Sequence, residues 1–421
     1  MAIFTSPAAM PPGFWPRADR RRTFLLIAFI ALAVCLIVGT LLVYVGRWTA
    51  GIPLVEVIVL LLVLLSLAIV PANWTVLRRQ PAMLIFLATF VSLGICFQAT
   101  AQQPGDVVLA ANFLGLLLAP VAYLLAHRRP GARTIVIVAA LFALGALVGA
   151  LTGTYDVFVA HKGRAAGWAQ GGNLMARTVV PLGFLALAGI FATTARWRWL
   201  YLLGAAFALY ALYLTGTRGV FVAVPLLGLI FVWSLMRELK APRLWYGIGA
   251  LAIVAMVAAV AVVSPRFLGI GSVLEQVTLD ASNVADPATS QRLYMWEAGW
   301  HTFWKSPLIG FGFANFTEAA KPYGIYIFHN DFLDMAVGAG LVGIFCWLAI
   351  IGAPLVGVLA MPRDRFANLR LYCALILSVS LFVFGLTDMT LGYDLPTTLY
   401  AFMTAVVLGA FREPEGISPA S

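Results

Sequence analysis

Long apolar runs separated by short polar breaks dominate the chain, and their spacing predicts its elements. Twelve runs stand out: Thr23–Val45, Pro53–Val70, Ala82–Thr100, Val107–Ala126, Thr134–Leu151, Thr178–Ala195, Leu200–Thr215, Gly219–Met236, Leu244–Ser264, Phe332–Ala360, Asn368–Thr387 and Gly392–Phe411. A helix needs about 20 apolar residues to cross the hydrocarbon of a bilayer. The runs lack the alternation of apolar and polar positions that marks strands of a membrane barrel. The pattern therefore predicts an all-α polytopic membrane protein with about 12 transmembrane helices. Two breaks are too long to be simple connectors, from Gly153 to Arg177 and from Pro265 to Asp331.

Composition agrees with that class. Of 421 residues, 62% are hydrophobic and 10% charged, with a mean hydropathy of +0.96. A soluble chain keeps about a quarter of its residues charged. The net charge of +10 is accounted for by where the basic residues fall, and it calls for no nucleic acid. With the N-terminus placed in the cytoplasm, 18 of the 27 basic residues lie on the cytoplasmic side and 9 on the outer side. That imbalance is the one that orients membrane proteins. It puts both long breaks on the outer face. The expected division is residues 1–22 as a cytoplasmic tail and 23–264 as helices one to nine. Residues 265–331 form an outer segment, 332–411 form helices ten to twelve, and 412–421 form a second cytoplasmic tail. Arg20, Arg21 and Arg22 precede the first run like the charged start of a signal peptide. No small-residue cleavage site follows, and the run is too long, so a retained helix is expected. Cys35, Cys96, Cys346 and Cys373 all fall inside apolar runs, where they read as packing residues. No spacing suggests a metal site.

The second long break contains SQRLYMWEAGWHTFWKSP. Leu293, Trp296, Trp300 and Phe303 or Trp304 recur there at helical spacing, opposite Glu297, His301 and Lys305. Two readings stand: an amphipathic helix at headgroup depth among membrane lipids, or one packed on the bundle. Either makes a cap over the outer face. Several cations gather at the same level. Arg218 sits in the short turn TGTRG, Arg266 follows the ninth run, and Arg292 opens the amphipathic segment, while Arg177 and Lys162 come from the other long break. An arginine so near hydrocarbon pairs with an anion, either a lipid phosphate or a bound one. Converging guanidinium groups match the oxygens of a pyrophosphate in bidentate fashion. His329 lies just before the tenth run, in HNDFLDM. A histidine ordinarily titrates near neutral pH and offers a ring nitrogen as proton acceptor. Asn330 or Asp331 is expected to cap the helix that follows, with Asp331 and Asp334 at the positive end of its dipole.

Taken in order, these segments resemble the O-antigen ligase and polymerase superfamily. The resemblance rests on R-x3-W at Arg292 and Trp296, SPLIGFGFANF at Ser306–Phe316, and H-x10-G from His329 to Gly340. It rests also on GGNLMARTVVPLG at Gly171–Gly183 and on TGTRG around Arg218. It covers roughly Gly171 to Gly343, while the first five runs match only in hydropathy.

The resemblance implies a lipid-carrier-dependent glycosyltransferase with a GT-C-like helical fold in the bacterial inner membrane, working at the periplasmic face. Its donor would be a glycan linked to undecaprenyl pyrophosphate, and its acceptor the outer sugar of lipid A–core. The chemistry implied is inverting and metal-independent, with no cofactor. Carried over residue by residue, His329 is the general base, and Arg218 and Arg292 hold the pyrophosphate. Arg266 is a further phosphate candidate, and Asp388 and Asn330 act in support. An O-antigen polymerase and a protein O-glycan ligase share the motifs and differ in acceptor. A solute transporter is the alternative from another class; it predicts mid-membrane ionisable residues and interrupted helices in paired halves. Glu56 is the main acidic residue within an apolar run.

Overall fold

A computed structural model describes residues 73–100, 113–167, 171–238, 247, 287–312, 319–325 and 328–413, and every regular element among them is helical. Ten helices of more than ten residues carry the architecture. They are α1 (Pro81–Thr100), α2 (Gly115–His127), α3 (Ala132–Thr154), α4 (Gly172–Ala186), α5 (Leu202–Thr215), α6 (Ala223–Glu238), α7 (Pro287–Phe303), α8 (Asp331–Leu359), α9 (Ala367–Thr387) and α10 (Asp394–Ala410). Among the described residues, seven helical segments are long and apolar enough to cross a membrane, and α2 and most of α10 form two shorter apolar helices. Nine of the twelve expected runs thus coincide with helix. The other three, Thr23–Val45, Pro53–Val70 and Leu244–Ser264, lie outside the described residues apart from Gly247, as do residues 1–22, Arg266 and residues 414–421.

Small residues set the close packing of the bundle. A methyl group added at Gly183 of α4 would lie 2.3 Å from the Ala208 methyl of α5, and one at Gly149 of α3 would meet the Val179 side chain at 2.5 Å. In an apolar solvent helices are held together by such backbone approach and by dispersion, because lipid is as apolar as leucine. The α2 and α10 helices run side by side in the same direction. Gly115 at the start of α2 meets Thr398 near the start of α10, and Gly409 at the end of α10 meets Tyr123 and Ala126. That parallel sense is the one the alternation of loops predicts for the fourth and twelfth runs.

The α8 helix is broken at Gly340, whose φ of 63° and ψ of −146° are not helical. The Ser306–Gly312 segment fills the break. Phe311 N–H donates to the Val337 carbonyl at 2.9 Å, Gly312 N–H to the Gly338 carbonyl at 2.8 Å, and Leu341 N–H to the Pro307 carbonyl at 2.8 Å. Groups that the interruption would orphan in a low-dielectric interior are thereby paired. Only glycine fits the contact from either side. A Cβ at Gly310 would stand 2.5 Å from the Ala339 nitrogen, and one at Gly340 would stand 2.4 Å from the Leu308 carbonyl carbon.

The α7 helix packs on the start of α8. Ala298, Gly299, Thr302 and Phe303 are the buried positions, whereas Trp300 and Trp304 face outward at 44% and 60% exposure. Gly299 decides the register, because it lets the Phe328 ring and the Leu333 side chain approach the helix backbone. Cys96, Cys346 and Cys373 are buried free thiols, in keeping with a packing role.

Candidate functional site

Loop ends that are far apart in sequence meet at one end of the bundle: the start of α4, the turn between α5 and α6, the start of α8 and the link between α9 and α10. His329 stands at the centre. Its backbone is in the left-handed region at φ 50°, which costs a residue with a Cβ about 1–3 kcal/mol and is retained where surrounding structure dictates it. The capped start of α8 dictates it here. Asn330 is the N-cap of that helix, its side chain accepting from the Leu333 N–H at 3.3 Å and donating to the Leu386 carbonyl at 3.3 Å. The chain must turn sharply at residue 329 to enter this cap.

Asp331 and Asp334 open α8 and serve loops. Asp331 accepts from the Thr390 N–H at 2.6 Å and the Leu391 N–H at 3.0 Å, fixing the α9–α10 link against α8. Gly385 of α9 leaves room for that carboxylate. Asp334 accepts from the Phe328 N–H at 3.3 Å. The cap therefore falls on Asn330 alone, and both aspartates are structural.

The partner of His329 is Asp388, at the C-terminal end of α9. Imidazole Nδ1 and carboxylate Oδ1 are 2.6 Å apart, and the same oxygen accepts from the Met389 N–H at 2.9 Å. The other oxygen, Oδ2, accepts from the Asn173 amide at 2.8 Å and pairs with the Arg177 guanidinium. Arg177 also donates to the Met389 carbonyl. Burial pushes the Asp388 carboxyl up, but the His329 hydrogen bond and the charge of Arg177 outweigh it and hold the group well below the usual carboxylate range. An ionised carboxylate only accepts, so Nδ1 of His329 carries a hydrogen and Nε2 of the neutral ring is the acceptor. No hydrogen-bond partner meets Nε2 among the described residues. Side-chain exposure separates the roles: Arg177 at 2% and Asp388 at 8% are sealed, while His329 at 34% reaches the surface.

Arg218 is set beside this network. It is half-buried and opens the short helix Arg218–Phe221. Thr217, just before it, donates to the Asn173 amide oxygen at 3.3 Å. Gly219, just after it, packs on Thr387, the neighbour of Asp388. Arg292 is more peripheral. It lies on α7 seven residues before Gly299, hence on the same helix face and about 10 Å along the axis from the contact with Phe328. His329, Asp388 and Asn330 are thus in one cluster with Arg218 adjoining it, and Arg266 lies outside the described residues.

Asn173 and Arg177 are the groups that spacing alone did not single out as a pair. Their signal is present in NLMAR: two polar side chains four residues apart share one helix face on a segment otherwise apolar. What reveals their role is Asp388, more than 200 residues away.

In comparison with known proteins, no curated sequence matches the chain. The family model described as O-antigen ligase matches residues 203–348. That span runs from the start of α5 into α8 and includes Arg218, Arg292 and His329. It leaves out Asn173, Arg177 and Asp388, which the geometry supplies independently. Over residues 203–348, then, the chain is similar to the O-antigen ligase family.

Proposed function

We propose that the protein transfers an O-antigen glycan from undecaprenyl pyrophosphate to the outer sugar of lipid A–core, at the periplasmic face of the bacterial inner membrane. The observation that carries this reading is the His329–Asp388 pair, with its ring nitrogen Nε2 left open. The acceptor hydroxyl loses its proton to Nε2 as its oxygen forms a bond to the anomeric carbon. The bond from that carbon to the pyrophosphate oxygen breaks, and the electron pair leaves with undecaprenyl pyrophosphate. Attack opposite the leaving group inverts the anomeric centre. A positioned base contributes roughly 10²–10⁴-fold. Asp388 holds the ring in the tautomer that accepts at Nε2 and stabilises the imidazolium that forms.

Pyrophosphate leaves readily once its charge is neutralised. Arg218 and Arg292 supply that neutralisation where charge develops, and preorganised groups of this kind are worth several kcal/mol. Arg266 is assigned to the same task by resemblance alone. Arg177 stays on Asp388, so that the imidazole faces a compensated carboxylate. The interrupted α8 bears on the transporter reading, but its break is filled by the Ser306–Gly312 segment of the same chain. Its buried Asp331 accepts from backbone amides through both oxygens, so it is not offered as an ion-carrying group.

The test is reconstituted transfer. Purified protein in proteoliposomes receives undecaprenyl-pyrophosphate-linked glycan together with lipid A–core. A ladder on lipid A–core is the expected product. Longer glycans on the carrier alone identify a polymerase, and glycan on an added pilin-like protein identifies a protein ligase. Donor left intact with every acceptor rejects the enzyme reading.

A further inference from the structure

The loop between α3 and α4 carries an arginine that neither the family match nor the sequence motifs single out. Asp156, buried in the π-helical turn that ends α3, organises this loop. Its carboxylate accepts from the Lys162 ammonium at 2.7 Å, the Ala166 N–H at 3.0 Å and the Gly167 N–H at 2.7 Å. The Ala165 N–H donates to the Leu214 carbonyl at 3.1 Å, tying the loop to the end of α5. Arg164 is held between these anchors.

Its guanidinium is clamped by two turns. Nε donates to the Thr215 carbonyl at 2.7 Å. Nη2 donates to the Asn173 amide oxygen at 3.3 Å and the Thr217 hydroxyl at 3.5 Å. Gly216, at φ 62°, and Gly172 lie against it without a side chain: a Cβ at either would stand 3.8 Å from Nε or 3.6 Å from Nη2. A guanidinium has five N–H donors, and these contacts use three. Both hydrogens of Nη1 have no partner among the described residues, and the residue is exposed. No carboxylate among those residues pairs with Arg164. The nearby acids are already matched, Asp156 by Lys162 and Asp388 by Arg177 and His329. Arg164 is therefore a fixed cation with a free fork edge. Thr217 connects it to Arg218, and Asn173 connects it through Asp388 to His329.

We propose that Arg164 is a further anion-binding residue of this site and grips a phosphate of the pyrophosphate-linked donor beside Arg218. This rests on the glycosyl-transfer reading above and adds a residue to it. The rotamer freedom of the arginine is already spent in the free protein, so less is lost when the phosphate binds. The loop carrying it thus belongs to the donor site.

The test uses the full-length protein in phosphatidylcholine nanodiscs, with bare undecaprenyl pyrophosphate as probe. Arg164→Ala and Arg164→Lys are both expected to weaken binding about ten- to hundredfold, the effect of losing a charge-assisted contact. They should raise the KM for the donor and leave the KM for the acceptor and the ligand-free melting temperature near wild type. Wild-type affinity in Arg164→Ala overturns the assignment. So does a loss of affinity that tracks a loss of melting temperature and is restored by lysine, which would mark a structural clamp. A second readout needs no variant: phenylglyoxal labelling of Arg164 in the wild type, mapped by mass spectrometry, should be blocked by undecaprenyl pyrophosphate. Blocking by phosphatidylglycerol nanodiscs without the carrier, and no further protection by the carrier, assigns the site to a lipid headgroup and overturns the donor role. Wild-type protein that fails to bind the carrier at all overturns the glycosyl-transfer reading itself. Carrier binding that is indifferent to Arg164 overturns only this inference.

Discussion

His329 Nδ1 and Asp388 Oδ1 stand 2.6 Å apart, joining the start of α8 to the end of α9. The same carboxylate receives Asn173 and Arg177 from α4, so three helices converge on one acid. The imidazole reaches the surface while Arg177 and Asp388 are sealed, which divides the cluster into one exposed side chain and its buried supports.

Asp388→Asn tests that division. The amide keeps an oxygen for Arg177 but removes the charge that fixes the tautomer. Transfer is expected to fall roughly 10²-fold or more, within the range general-base help provides, with the donor KM little changed. Steady-state kinetics on folded protein separates the two parameters. An equal loss in KM would place Asp388 in substrate binding instead.

Arg177→Met is expected to act on stability first. It leaves Asp388 buried beside an aprotic side chain, and breaking a buried ion pair by removing one partner costs about 3–5 kcal/mol. Thermal melting of detergent-solubilised protein would show it as a lowered transition. A transition within a degree of wild type would mean the pair is better solvated than its burial implies.

The pH response of Asp388 has a definite sign. Its folded pKa is depressed, so its stabilisation is complete above the unfolded carboxylate value of about 3.9. That stabilisation is lost as pH falls through the still lower folded value. In a His329→Ala background, where the coupled ring is absent, the melting difference made by Asp388→Asn is therefore expected to stay flat from pH 5 to pH 8, since Asp388 itself does not titrate in that interval. A difference that disappears on going from pH 8 to pH 5 would contradict an ionised Asp388.

Glycine substitutions in α8 should split sharply. Gly340→Ala forces a Cβ to 2.4 Å from the Leu308 carbonyl carbon at a positive φ, and is expected to abolish the folded state. Gly352, with open space around its Cβ position, should accept alanine with a melting temperature at or above wild type, because glycine inside a helix is destabilising by about 0.5–1 kcal/mol relative to alanine. Size-exclusion profiles and melts of the two variants check the contrast.

Much of the bundle was legible from hydropathy, since run length and loop charge are one-dimensional properties. The direction of α2 beside α10 followed from alternation alone. Other features depended on three-dimensional encounters. Gly340 is a motif position in the sequence, but its role in breaking the helix shows only when the Ser306–Gly312 segment is seen crossing it. Spacing left two arrangements open for α7, and the contact of Gly299 with Phe328 and Leu333, which leaves Trp300 and Trp304 outside, depends on residues that spacing does not bring together. His329 and Arg218 stood out as ionisable groups at the edges of apolar runs. Arg177 stood out only as one more outer cation and Asn173 only within a motif, while Arg164 did not stand out, because their meaning lies in partners that sequence separation hides.

The most direct measurement is donor turnover by wild type and His329→Ala in proteoliposomes containing undecaprenyl-pyrophosphate-linked glycan and lipid A–core. The account predicts glycan on lipid A–core with wild type, and a loss of roughly 10²–10⁴-fold in the variant with donor binding retained. Wild-type turnover in a folded His329→Ala protein would contradict the assignment of this site.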